Sequence, residues 1–147
     1  MLTTQFATDL LNLWLQNTAF VITTAGGTLA GPGAPGNIFV SLHSATPGVA
    51  GNQTTNEAAY TGYARVAVSR DPAAVLWTVA AGAAENSALI TFPTCGAVGD
   101  TIAFVGLGLD AAGAGALFAF GPLPAPIVLV LNDPVVIPIG GCDVFNT

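Results

Sequence analysis

The chain has 147 residues and a mass of 14.6 kDa, enough for one domain-sized core and little more. Only 7% of it is charged, with two arginines, no lysine and a formal net charge of −6, whereas 52% is hydrophobic. That balance excludes nucleic-acid binding, which needs cations for phosphates, and attraction to anionic membrane surfaces; no apolar run approaches the about 20 residues that span a bilayer.

Residues 4–16 carry the one helix pattern. Phe6, Leu10, Leu13 and Trp14 recur at helical spacing on one face, which marks them as a candidate interface. Thr3 or Thr4 can cap the start. No basic residue precedes this apolar stretch, so it does not read as a signal peptide. Residues 21–24 turn β-branched, and residues 25–36, rich in Gly and Pro, read as a turn-rich linker. The expected division is therefore residues 1–36 as helix and linker, able to fold back or to reach out as an arm, and residues 37–147 as the body.

From residue 37 the period becomes that of strands. Apolar or alternating runs occupy residues 38–43, 63–68, 75–79, 88–92, 101–109, 116–120, 127–131 and 135–139. The 18 glycines and 10 prolines fall mainly between them. About eight short strands punctuated by turns predict an all-β fold, a single β-sandwich or jelly-roll domain with one N-terminal amphipathic helix. Pro138 inside the last run predicts an edge strand. A mean hydropathy of +0.70 predicts apolar surface that is covered in an assembly.

Few residues offer chemistry. Gly106, Gly108 and Ala111 match a loose GxGxxA pattern after a strand, but the glycine-rich residues that follow suit a hairpin on Asp110 and Gly113 better than a dinucleotide-binding helix. His43, the single histidine, lies near Ser41 and Ser44, yet the chain has no GxSxG elbow, so no catalytic residue is expected. The eight carboxylates are scattered singly. Asp71, Asp100 and Asp133 read as turn residues that cap their own backbone. Cys95 and Cys142 read as buried thiols, and their spacing leaves a disulfide open. Asn52-Gln53-Thr54 is formally a glycosylation sequon, of little weight here. No metal site and no cofactor are expected. Glu57 and Arg65 flank Tyr60 and Tyr63 and form a candidate structural ion pair. Trp14 and Trp77 read as core or interface anchors.

Three stretches, FVSLHSATPG from Phe39 to Gly48, GNQTTNE from Gly51 to Glu57, and YTGYARVAV from Tyr60 to Val68, carry a recognisable pattern. Together they resemble a group of small virion proteins of tailed bacteriophages. The resemblance continues through Trp77, Asn86, Ile90 to Pro93, Phe104 to Gly108, Leu117-Phe118 and Gly121-Pro122-Leu123. It departs at residues 131–136, where the pattern has an uninterrupted segment. Members are described as tail-fibre, minor tail or head-decoration (cement) proteins, so the resemblance implies a structural virion protein made in the host bacterial cytoplasm. The charge-poor composition favours decoration of the capsid exterior. Its partners would be the major capsid protein and copies of itself, as a dimer or trimer. The alternative is a tail or tail-fibre component that contacts other tail proteins or the host surface.

Overall fold

In the computed structural model the described residues are 4–18, 22–24, 27–29 and 36–145. The helix forms over Thr4–Gln16 (α1), as the spacing predicts. Thr3 lies outside the described residues, and Thr4 is the first helical residue. Asn17, in the left-handed conformation with φ 50°, ends the helix. The buried stripe is Ala7, Leu11 and Leu15. Phe6, Leu10 and Leu13 are half-buried, and Trp14 is exposed. These seven side chains cover more than half of the helix circumference, so spacing alone could not choose among them.

The strands are Ile22–Thr24 (β1), Gly27–Leu29 (β2), Asn37–His43 (β3), Val66–Ser69 (β4), Trp77–Ala80 (β5), Ala83–Asn86 (β6), Ile90–Thr91 (β7), Thr101–Gly108 (β8), Leu117–Val128 (β9), Val136–Ile137 (β10) and Asp143–Phe145 (β11). The registered ladders are antiparallel, which makes this the all-β fold with one N-terminal helix that the sequence predicts, consistent with a β-sandwich. No helix among the described residues is long and apolar enough to cross a membrane.

Contacts divide the chain into two compact units. One unit comprises Met1–Asn37, Ser69–Leu89 and Pro138–Thr147; the other comprises Ile38–Val68 and Ile90–Ile137. In the first unit α1 packs on β5 and β6, which form a sheet in the order β11-β6-β5. The helix is thus docked on its own unit. Gln16 Nε2 donates to Trp77 O at 2.7 Å, and Gly82 N donates to Thr8 Oγ1 at 2.7 Å. Arg70 closes the helix C-terminus by donating Nη2 to Leu13 O at 2.6 Å and Nε to Trp14 O. A cation there meets the partial negative charge of the last carbonyls. Trp77 is buried, with Leu15 and Cys142, in this core.

The second unit is built on a four-stranded sheet in the order β4-β3-β8-β9, with β7 and β10 paired separately. Ile38, Val40, Leu42, Val105 and Leu107 supply the buried face. Cys95 and Cys142 are both free and buried, and burial pushes the Cys142 thiol up to about 12.

Local chemistry explains where the elements depart from expectation. Residues 27–29 are strand instead of linker; residues 25–26 and 30–35 lie outside the described residues. The run at 75–79 starts only at Trp77, because Pro72–Ala74 makes a 3₁₀ turn capped by Asp71 and Val75 is left-handed. β6 and β11 were not expected, being short and poor in alternation. Gly121-Pro122 does not break the chain, and residues 117–128 form one strand. β9 lies at the sheet edge, where a proline without an N–H costs no ladder bond on its open side.

Candidate functional site

Glu57 and Arg65 stand at the centre of the second unit's polar network. Arg65 Nε donates to Glu57 Oε1 at 2.6 Å and Nη2 to Oε2 at 2.8 Å, a two-pronged pair whose side chains are 2% and 17% exposed. A planar guanidinium matches a carboxylate in this way where an ammonium cannot. The same guanidinium donates Nη1 to Asp110 O at 2.9 Å and Nη2 to Gly113 O at 2.8 Å. The bond to Glu57 is the largest cause that holds the Arg65 pKa above its ordinary value.

Tyr63 joins this pair to the sheet. Leu42 N donates to the Tyr63 hydroxyl at 3.0 Å, and the hydroxyl donates to Glu57 Oε1 at 3.0 Å. Burial, foremost, raises the Tyr63 pKa. Its ring stacks on Phe92, with centroids 6.5 Å apart, and meets Tyr60 edge-on at 5.3 Å. Tyr60 in turn donates its hydroxyl to Pro93 O at 2.8 Å.

Gln53 fastens the opposite loop. It is fully buried and grips the backbone of Asp110 from both sides: Oε1 accepts from Asp110 N at 3.0 Å and Nε2 donates to Asp110 O at 3.2 Å. Its own N donates to Gly115 O at 2.9 Å. The site for this side chain exists only because residue 108 is glycine, since a Cβ there would overlap Gln53. Segments 53–57, 63–65 and 110–115 are thereby tied together.

His43 and Ser41 are also brought together, by adjacent inward turns of one strand face. Thr55 O can only accept, so His43 Nδ1 carries the proton, donated at 2.9 Å. Nε2 is then the acceptor for the Ser41 hydroxyl at 2.9 Å. Both residues are 0% exposed, and among the described residues no carboxylate bonds to the imidazole. Gly106 lies against both side chains and, with Gly108, sits within β8. β8 and β9 form an antiparallel hairpin, so no dinucleotide-binding helix follows the GxGxxA pattern. Burial lowers the His43 pKa.

The remaining candidates sit in turns. Asp71 Oδ1 accepts from Ala73 N, Asp100 from Thr101 N and Ala59 N, and Asp133 from Val130 N. Asn52 Oδ1 accepts from Thr54 N at 2.9 Å and Thr54 Oγ1 at 2.7 Å, an Asx-turn over the sequon residues. Among the described residues no group of His, Cys, Asp and Glu is gathered for a metal. Gln53 and Asn86 are polar residues whose importance sequence reasoning missed. Asn86 is buried in the first unit, donates to Ala88 O and Pro138 O and accepts from Cys142 N, each at 2.8 Å. Both fall within the stretches that carry the family resemblance, but apart from polarity nothing in the residues themselves points to these hydrogen bonds.

The fold and its polar network define a small antiparallel β protein whose polar side chains serve mainly to fix its own loops. The chain belongs to the family described as podophage GP4 fiber I protein gp80, whose model matches residues 1–144. It is thus a member of a phage structural protein family. No curated protein matches the chain. The description of the family favours the fibre alternative over the capsid decoration that composition suggested.

Proposed function

We propose that the protein is a non-enzymatic component of the phage tail-fibre apparatus, acting by contact with neighbouring virion proteins. The observation that carries this reading is the match of residues 1–144 to a podophage fibre family. The polar network supports a mechanical role. Several of its bonds end on backbone carbonyls of Asp110 and Gly113 and on the Asp110 N–H, so they stiffen loops. Leu109, which leads into the 110–115 loop, is 53% exposed. A loop held in one conformation loses less entropy on docking. The burial of Ser41 and His43 supports the absence of catalysis, because a substrate has no access to them.

Electron microscopy of virions labelled with an antibody to this chain tests the location. Label on the tail or its fibres is expected. Label spread evenly over the head would overturn the fibre reading and restore decoration.

A further inference from the structure

We propose that His43 makes the seating of residues 52–58 on the sheet sensitive to acid, so that this segment opens more often as pH falls. The inference does not depend on where in the virion the protein sits. It goes beyond a loss of overall stability, because it names the segment that moves.

Geometry places the ring under one segment. His43 is fully buried at the end of β3. Its Nδ1 donates to Thr55 O at 2.9 Å, and its Nε2 accepts from the Ser41 hydroxyl at 2.9 Å. Gly106 of β8 and Leu117 of β9 lie close to the same two side chains and add no polar side chain. The covering segment is a turn with bonds of its own. Thr55 N donates to Asn52 O at 3.0 Å, and Asn52 Oδ1 accepts from Thr54 N at 2.9 Å. The segment rests on β3 and its end through two backbone bonds, Ala58 N to Leu42 O and Ser44 N to Asn56 O, both 2.8 Å, and through the bond to His43. It can lift with its internal bonds kept, as a local opening short of unfolding.

Protonation sets the ring against its site. A second ring proton turns Nε2 from acceptor to donor. Ser41 Oγ must then accept, and its own proton is left without a partner, since this hydroxyl has no other hydrogen bond among the described residues. The charge is also shut away from water. Glu57 favours that charge and Arg65 opposes it, and the two are paired with each other. Apart from His43 itself, β3, β8 and β9 contain no titratable side chain. Opening releases the ring to water, where it takes a proton near its ordinary pKa of 6.5. The same movement draws Gln53 from Asp110 and Glu57 from Arg65, so loop 110–115 loses ties along with it.

Amide exchange of the full chain, read by NMR at about pH 7.5 and about pH 5.5 and corrected for intrinsic rates, tests this. The amides of Ser44, Gln53 and Ala58 are expected to exchange faster than the slowest amides of β3 and β8, at rates insensitive to sub-denaturing urea. Acidification is expected to lower their protection about three- to tenfold. His43→Asn keeps an amide N–H for Thr55 O but takes up no proton, and is expected to abolish the pH effect. If that variant misfolds, titration of the wild-type ring decides: a folded ring that takes its proton at or above 6.5 would overturn the proposal. So would protection that is unchanged by acid, exchange of these amides only together with the slowest ones, or an equal acid effect in His43→Asn.

Discussion

Replacing Arg65 by Ala probes the polar network at its centre. The change removes two bonds to Glu57, at 2.6 and 2.8 Å, and two to the carbonyls of Asp110 and Gly113. It leaves the Glu57 carboxylate with the Tyr63 hydroxyl at 3.0 Å as its side-chain donor. Stranding one member of a buried pair costs about 3–5 kcal/mol. Partial solvent access lets water take over some of these bonds, so about 2–4 kcal/mol is expected. For a chain of this length that corresponds to a drop in Tm of roughly 5–15 °C. Arg65→Lys should recover only part of the loss, because an ammonium cannot form the fork. Glu57→Gln combined with Arg65→Met should be less destabilising than Arg65→Ala, since no charge is stranded. Calorimetry supplies the Tm values, and hydrogen exchange should show faster exchange at residues 110–115. A Tm shift of Arg65→Ala within about 2 °C, or a double variant worse than the single one, would refute the reasoning.

Three further outcomes follow from buried groups. His43 has a folded pKa below its ordinary 6.5, so stability is full above that value and falls as pH drops through the folded pKa. As the single histidine, it should give a slope of at most about 1.4 kcal/mol per pH unit in urea titrations between about pH 7 and pH 5; stability that is flat or rises on acidification contradicts this. Gly106→Ala would place its Cβ 2.7 Å from His43 Nε2 and Leu117 Cδ1 and 2.8 Å from Ser41 Oγ, costing about 1–3 kcal/mol in denaturant unfolding. Gly121→Ala, whose Cβ meets nothing within 4 Å, should stay within about 0.5 kcal/mol. Asn86→Asp turns two donors into acceptors facing Ala88 O and Pro138 O, and thermal unfolding should show a loss of about 2–4 kcal/mol.

Period and turn chemistry made much of the fold legible. α1 and β8 stand where their apolar patterns put them, because each is long enough to show its period. β6 is held by a tight hairpin with β5 through Ala81-Gly82, whereas β11 is held by pairing across a long sequence separation, Asp143 opposite Glu85 for example, which its own residues do not signal. β9 was divided in two because a proline is judged locally, whereas its tolerance depends on the missing neighbour at an edge. The Glu57–Arg65 pair could be suspected from charge scarcity, since a shielded charge needs a partner. The roles of Gln53 and of the glycines at 106 and 108 could not, because they arise from a segment laid across the sheet.

The central claim is that this phage structural protein works in the fibre apparatus. Its copy number per virion, measured by quantitative mass spectrometry against the major capsid protein, tests that claim most directly. The account predicts a small number of copies, far below the number of capsid subunits. A ratio of one copy per capsid subunit, or a simple fraction of it, would contradict the account and return the protein to the head lattice.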